Sequence, residues 1–82
     1  MYWKITHDIL DHGTDESQAG REYGKRKKGE EMVRFTLKDC DGNTYYRGIM
    51  SADGQEEEIF EPLRWAAAWA GATRLYINGE IQ

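Results

Sequence analysis

One segment of this chain carries a helix pattern with both ends marked, and the rest must be arranged around it. Between Glu61 and Gly71, Pro62 fits the first helical position, where a missing N–H costs nothing. Leu63 and four alanines up to Ala70 are strong helix formers, and Gly71 stands where a left-handed closing residue is wanted. Arg74-Leu-Tyr-Ile77 then changes to a β-branched and aromatic pattern. No other stretch reads as a strong helix, so a sheet built from the remainder has this helix to cover its apolar side.

Two further stretches alternate with period two. In Tyr2–Leu10, Trp3, Ile5, His7 and Ile9 point one way, and Tyr2, Lys4, Thr6 and Asp8 the other. In 31–38, Val33, Phe35 and Leu37 share a side, opposite Met32, Arg34, Thr36 and Lys38. Asp39-Cys-Asp-Gly-Asn43 is a turn, with Gly42 or Asn43 free to take a positive φ. Thr44–Met50 returns as a strand, with Tyr46, Gly48 and Met50 on one side. Gly48 there marks a bulge or a close approach by the helix. Ser51–Glu58 is polar and acidic. Glu56, Glu57 and Glu58 suit a short leading helical turn, where carboxylates face the positive end of the helix dipole. A main helix from Pro62 to Ala70, a last strand Arg74–Asn78 and a short tail follow.

The reading is one α+β domain over residues 1–82, in the order β–long loop–β–β–α–β. The architecture expected is a small four-stranded, mostly antiparallel sheet with one helix packed on one face. The uncovered face would carry Lys4, Thr6, Arg34, Lys38 and Tyr45 or Tyr46. Eighty-two residues bury only ~60–65% of the surface of the unfolded chain, so the stability margin is thin. Three Trp, five Tyr and two Phe supply large buried areas.

Residues 11–30 have no apolar period and hold four glycines among charges. They are expected to form a flexible basic loop, with Tyr23 either pinning it to the body or stacking on a base. Arg21, Lys25, Arg26, Lys27 and Lys28 against Glu22 give 21–28 a local charge of +4, leaving six basic and fourteen acidic residues elsewhere. The net charge of −4 and the pI of about 5.1 argue against general nucleic-acid or anionic-membrane binding. The chain is nonetheless polarised, and a loop with five cations in eight residues suits phosphates or an acidic protein surface.

Catalytic constellations are thin. His7 and His12 bracket Asp8 and Asp11, a set that suits a metal chemically. Their spacing puts them on opposite sides of a strand and apart on a helix, so a strand end entering a polar loop is the reading. Asp39–Asn43 echoes the start of a calcium loop but lacks its closing Glu. Cys40 lies in a turn with no converging base, and no serine elbow or P-loop is present. The acidic set Asp53, Glu56, Glu57, Glu58 and Glu61 either imitates a row of phosphates or is a solvated helix start. No enzyme, cofactor or metal is expected. The lone cysteine and the absence of an apolar leader or membrane span point to the cytoplasm.

On a helical wheel, Ile59, Phe60, Leu63, Ala67 and Ala70 share one side, with Trp65 and Trp69 nearly opposite. Either the Leu63 stripe packs on the sheet and both indoles form a contact for a partner or a second copy, or the tryptophans are the core stripe. In size, acidity and want of catalytic residues the chain resembles the small inhibitors of phages and mobile elements, such as anti-CRISPR proteins. That likeness of general character implies a non-enzymatic protein-interaction module inhibiting a nucleic-acid-handling complex. The contact residues expected are Trp65, Trp69, Tyr23, Lys25, Arg26, Lys27 and Lys28, with a protein partner or a homodimer. The alternative is a small nucleic-acid binder using loop 21–28 and the polar sheet face.

Overall fold

The computed structural model describes residues 1–10 and 17–82. Its elements are β1 (Trp3–Asp8), β2 (Glu22–Tyr23), β3 (Met32–Lys38), β4 (Thr44–Ser51), α1 (Glu61–Ala70), β5 (Arg74–Ile77) and β6 (Glu80–Ile81), with a 3-10 turn Glu58–Phe60 leading into α1. The fold is α+β, one helix on an antiparallel sheet. The sheet has six strands in the order β2-β1-β4-β3-β5-β6, not four. The two additional strands are the two-residue edges β2 and β6. Asn78-Gly79, with φ of 50 and 85, makes the tight positive-φ turn that folds β6 back on β5 where a tail was expected. Edges this short leave few unpaired backbone groups to template aggregation. Strands β4 and β5 both run antiparallel to β3, so they are parallel to each other, and α1 makes the crossing between them.

The helix begins and ends where its residues dictate. Pro62 lies in the first turn, and Gly71 adopts φ 81 with its N–H reaching the Ala66 and Ala67 carbonyls at 3.0 and 3.2 Å. Pro62 and Ala66 are the residues it buries. Small side chains there bring the helix close to the sheet, whose covered face supplies the bulk: Trp3, Ile5, Phe35, Leu37, Tyr46, Met50 and Leu75. Gly48 lies at the centre of that face, opposite Ile5 on β1 and Phe35 on β3. The Phe35 ring and the Lys4 carbonyl occupy the space a Cβ would need. The close approach expected at Gly48 is therefore made by a neighbouring strand and an aromatic ring, not by the helix.

The alternation of β1 breaks halfway. The register against β4 shifts between Ile5 and His7, leaving Thr6 as a bulge residue. Trp3 and Ile5 are buried as expected, but His7 is turned to the open face beside Arg47, and Ile9 is 47% exposed. A second shift leaves Tyr45 as the extra residue opposite the Leu37–Lys38 step. Tyr46 is in the core and Tyr45 packs against it, so neither tyrosine furnishes the open face.

Burial pushes the Tyr46 hydroxyl up to about 12, the Asp8 carboxylate adds to the shift, and Arg21 and the Trp69 indole N–H partly offset it. The folded pKa exceeds the unfolded value, so this contribution is complete below pH 10 and lost as pH rises through about 12. A shift of this size is worth up to roughly 2–3 kcal/mol. The urea midpoint is expected to fall steeply across that window in the wild type and less steeply in Tyr46→Phe. Equal slopes would show that Tyr46 is not the responsible group.

Candidate functional site

Residues paired across adjacent strands point to the same face, and the uncovered face is assembled from such rows. Lys4 lies opposite Ile49, which lies opposite Arg34, with Asn78 next along. The second row is His7, Arg47, Thr36 and Tyr76. Lys38 and Arg74 pair at the far end. Within a strand, same-face residues recur at about 6.6 Å and strands lie about 4.8 Å apart, so the face is a lattice of cations around Ile49 and Thr36. No carboxylate among the described residues comes within ion-pair distance of Lys4, Arg34, Lys38, Arg47 or Arg74. The carboxylates at its margins are engaged. Glu22 accepts the Tyr2 hydroxyl at 2.6 Å. Asp39 accepts the backbone N–H groups of Asp41 and Asn43, the Asn43 amide and the Tyr45 hydroxyl.

The centre of this face is a groove of about 860 Å³ lined by Thr6, His7, Arg34, Thr36, Arg47, Ile49 and Asn78 among others. Its polar groups are held in place. The Asn78 Oδ1 accepts the Arg34 backbone N–H at 3.3 Å, and the Asn78 N–H reaches the Arg34 carbonyl at 2.9 Å. Thr6 Oγ1 donates to the Arg47 carbonyl at 3.2 Å and lies 2.9 Å from His7 Nδ1. At the far end Lys38 Nζ stands 5.1 Å from the centre of the Tyr76 ring, a cation–π contact.

The structure divides the residues expected to act together in the loop. Tyr23 is stacked on Trp3, centroids 4.4 Å apart, and so pins the chain to the body. Arg21 lies over Trp65 at 5.6 Å and over Tyr23 at 5.9 Å, and is held by Gln18. The stretch is also not structureless throughout. Gln18 N–H donates to Asp8 at 2.7 Å, Gly20 N–H to Ile5 and Ile5 N–H to Arg21, and β2 pairs with β1. Residues 11–16, including His12 of the metal expectation, lie outside the described residues. Lys25, Arg26, Lys27 and Lys28 are exposed. Arg26 is near enough to Tyr2 to lower its hydroxyl pKa, against the larger upward effects of burial and Glu22. Arg26 thus lies toward the Tyr2 end of the sheet.

The tryptophan pair is also divided. Trp65 packs into the core, 5.8 Å from Trp3 and 5.1 Å from Tyr46, while Trp69, one turn on, is 57% exposed. The helix buries its Pro62–Ala66 line, and of the two indoles flanking it Trp65 meets the Trp3 and Tyr46 rings. Trp65 is therefore half-buried, and Trp69 is the more exposed of the two.

Cys40 is exposed in the hairpin turn. Asp39 beside it is held below the usual carboxylate range, chiefly by the Asn43 side-chain hydrogen bond. That carboxylate organises a turn, with Gly42 at φ 86, rather than a calcium loop. Among the described residues no three His, Cys, Asp or Glu side chains gather in one place, and no helix is long and apolar enough to cross a membrane. Comparison with models of protein families, with curated proteins and with solved structures finds nothing that matches this chain.

Sequence reasoning missed Arg47, Asn78 and His7 as members of the face. Arg47 was readable, since it alternates with the buried Tyr46 and Gly48. His7 was not, because the bulge at Thr6 reverses its side.

Proposed function

We propose that the protein is a non-enzymatic interaction module whose contact surface is the open sheet face and whose partner is a polyanion. The observation that carries this reading is the set of five cations on one uncovered face, with no carboxylate among the described residues within ion-pair distance of them, in a chain of net charge −4. The field of such a set of cations both orients and speeds an encounter with an external anion. The exposed Glu56, Glu57 and Glu61 stand at the start of the helix, so the charge is divided between helix and open sheet face. The inhibitor role suggested by the chain's size and acidity would be exercised through the same face, by occupying a nucleic-acid-handling complex rather than by turnover. The cytoplasm remains the compartment proposed.

The test is retention on immobilised heparin as a generic polyanion. The wild type is expected to be retained at low salt despite its pI, and an Arg34→Ser, Arg47→Ser variant to elute with the flow-through at unchanged melting temperature. A wild type that does not bind, or a double variant retained as strongly as wild type, would remove the sheet face from consideration.

A further inference from the structure

We infer that the polyanion taken by this face is single-stranded nucleic acid, which rests on the polyanion reading above. The groove, about 860 Å³, has the volume of a small-molecule site and is roomy enough for an unpaired base. A duplex is read by an element that protrudes into its groove, and the one helix among the described residues is on the opposite side of the sheet. Unpaired bases are held by stacking on aromatic or guanidinium planes and by hydrogen bonds to their edges. Arg34 and Arg47, diagonal neighbours across β3 and β4, have guanidinium planes that no carboxylate among the described residues pairs with. Asn78 and His7 hold amide and imidazole groups at fixed positions on the groove wall. Tyr76 adds a half-buried ring beside Thr36 with the Lys38 ammonium already over it, placing a cation next to a stacking surface. An acidic peptide would use the charges but has no need of the planes. Cations distributed over several strands, rather than aligned along one edge, suit a flexible backbone crossing the face.

The experiment is fluorescence anisotropy with a labelled oligothymidylate, a hairpin duplex of mixed sequence and polyglutamate, each titrated at several salt concentrations. Oligothymidylate is expected to bind at least tenfold more tightly than the other two. In Arg34→Ser, Arg47→Ser the slope of log affinity against log salt is expected to fall by about 1.4, from about 0.7 per lost phosphate contact. Tyr76→Leu, which keeps bulk and charge, is expected to weaken binding severalfold with the slope unchanged. Circular dichroism confirms that each variant is folded. Duplex binding as tight as single-strand binding, or polyglutamate binding without oligothymidylate binding, would overturn the inference while leaving heparin retention intact. Failure of all three probes together with loss of heparin retention would overturn the polyanion reading itself.

Discussion

Phe35→Ala is expected to leave the protein largely unfolded, or to lower its melting temperature by well over 10 °C. Phe35 is 1% exposed at the centre of the covered face. Its ring meets Trp3 edge-on at 6.3 Å and lies across Gly48, and its backbone pairs with both β4 and β5. Truncating a buried phenylalanine costs about 3–5 kcal/mol, lost transfer energy plus the cavity left behind. A domain of this length has roughly 4–12 kcal/mol in total, and each kcal/mol is worth about 4–8 °C at this size. The cavity cannot collapse cheaply, because Gly48 beneath the ring has no side chain to move into it. Thermal unfolding by circular dichroism decides the matter. A variant melting within a few degrees of wild type would mean that Phe35 is not at the core.

Gly48→Ala is expected to have an effect of similar size from the opposite cause. A methyl group there would lie closer than 3.0 Å to the Lys4 carbonyl oxygen and to two carbons of the Phe35 ring. The ring can turn aside at some cost. The carbonyl belongs to β1, however, and moving it separates β1 from β4 along a pairing that carries Trp3 and Ile5 into the core. Overpacking ordinarily costs about 1–3 kcal/mol, and a clash with backbone belongs at or above the top of that range. The two changes share one contact, so they should not add. Gly48→Ala introduced into Phe35→Leu is expected to cost less than in the wild type but still to destabilise, since only the ring clash is relieved. Complete rescue would place the whole conflict at the ring and none at the β1 backbone. A fully stable Gly48→Ala would contradict the tight packing of this strand pair.

The separation of loop residues has a bearing on how such a surface is recognised. Arg21 through Lys28 look like one basic cluster along the chain. In space Arg21 is stacked on Trp65 on the helix side, while Lys25, Arg26, Lys27 and Lys28 are exposed. The five cations of the open face are drawn from β1, β3, β4 and β5, and Lys4 and Arg74 stand far along the chain from the other three. A patch assembled by cross-strand pairing leaves no run of like charge to notice.

What the sequence determined by itself was local. Pro62 and Gly71 set the limits of α1, because one lacks a donor and the other accepts a left-handed φ. The alternation in β3 and β4, with the Asp39–Asn43 turn, set the central hairpin and put Phe35 and Leu37 inside. Asn78-Gly79 carried a hairpin signal too, but β6 has only two residues, too few to display a period. The tertiary structure decided everything that depends on counting across strands. A single bulge at Thr6 sends His7 to the open face, since the side-chain period is two and one extra residue inverts every position after it. The packing of α1 against Trp3 and Tyr46 half-buries Trp65 and leaves Trp69 exposed, although the two fall together on a helical wheel. The cationic face exists only once β1, β4, β3 and β5 are laid side by side, because strand order, not chain order, makes Lys4, Arg47, Arg34 and Arg74 neighbours.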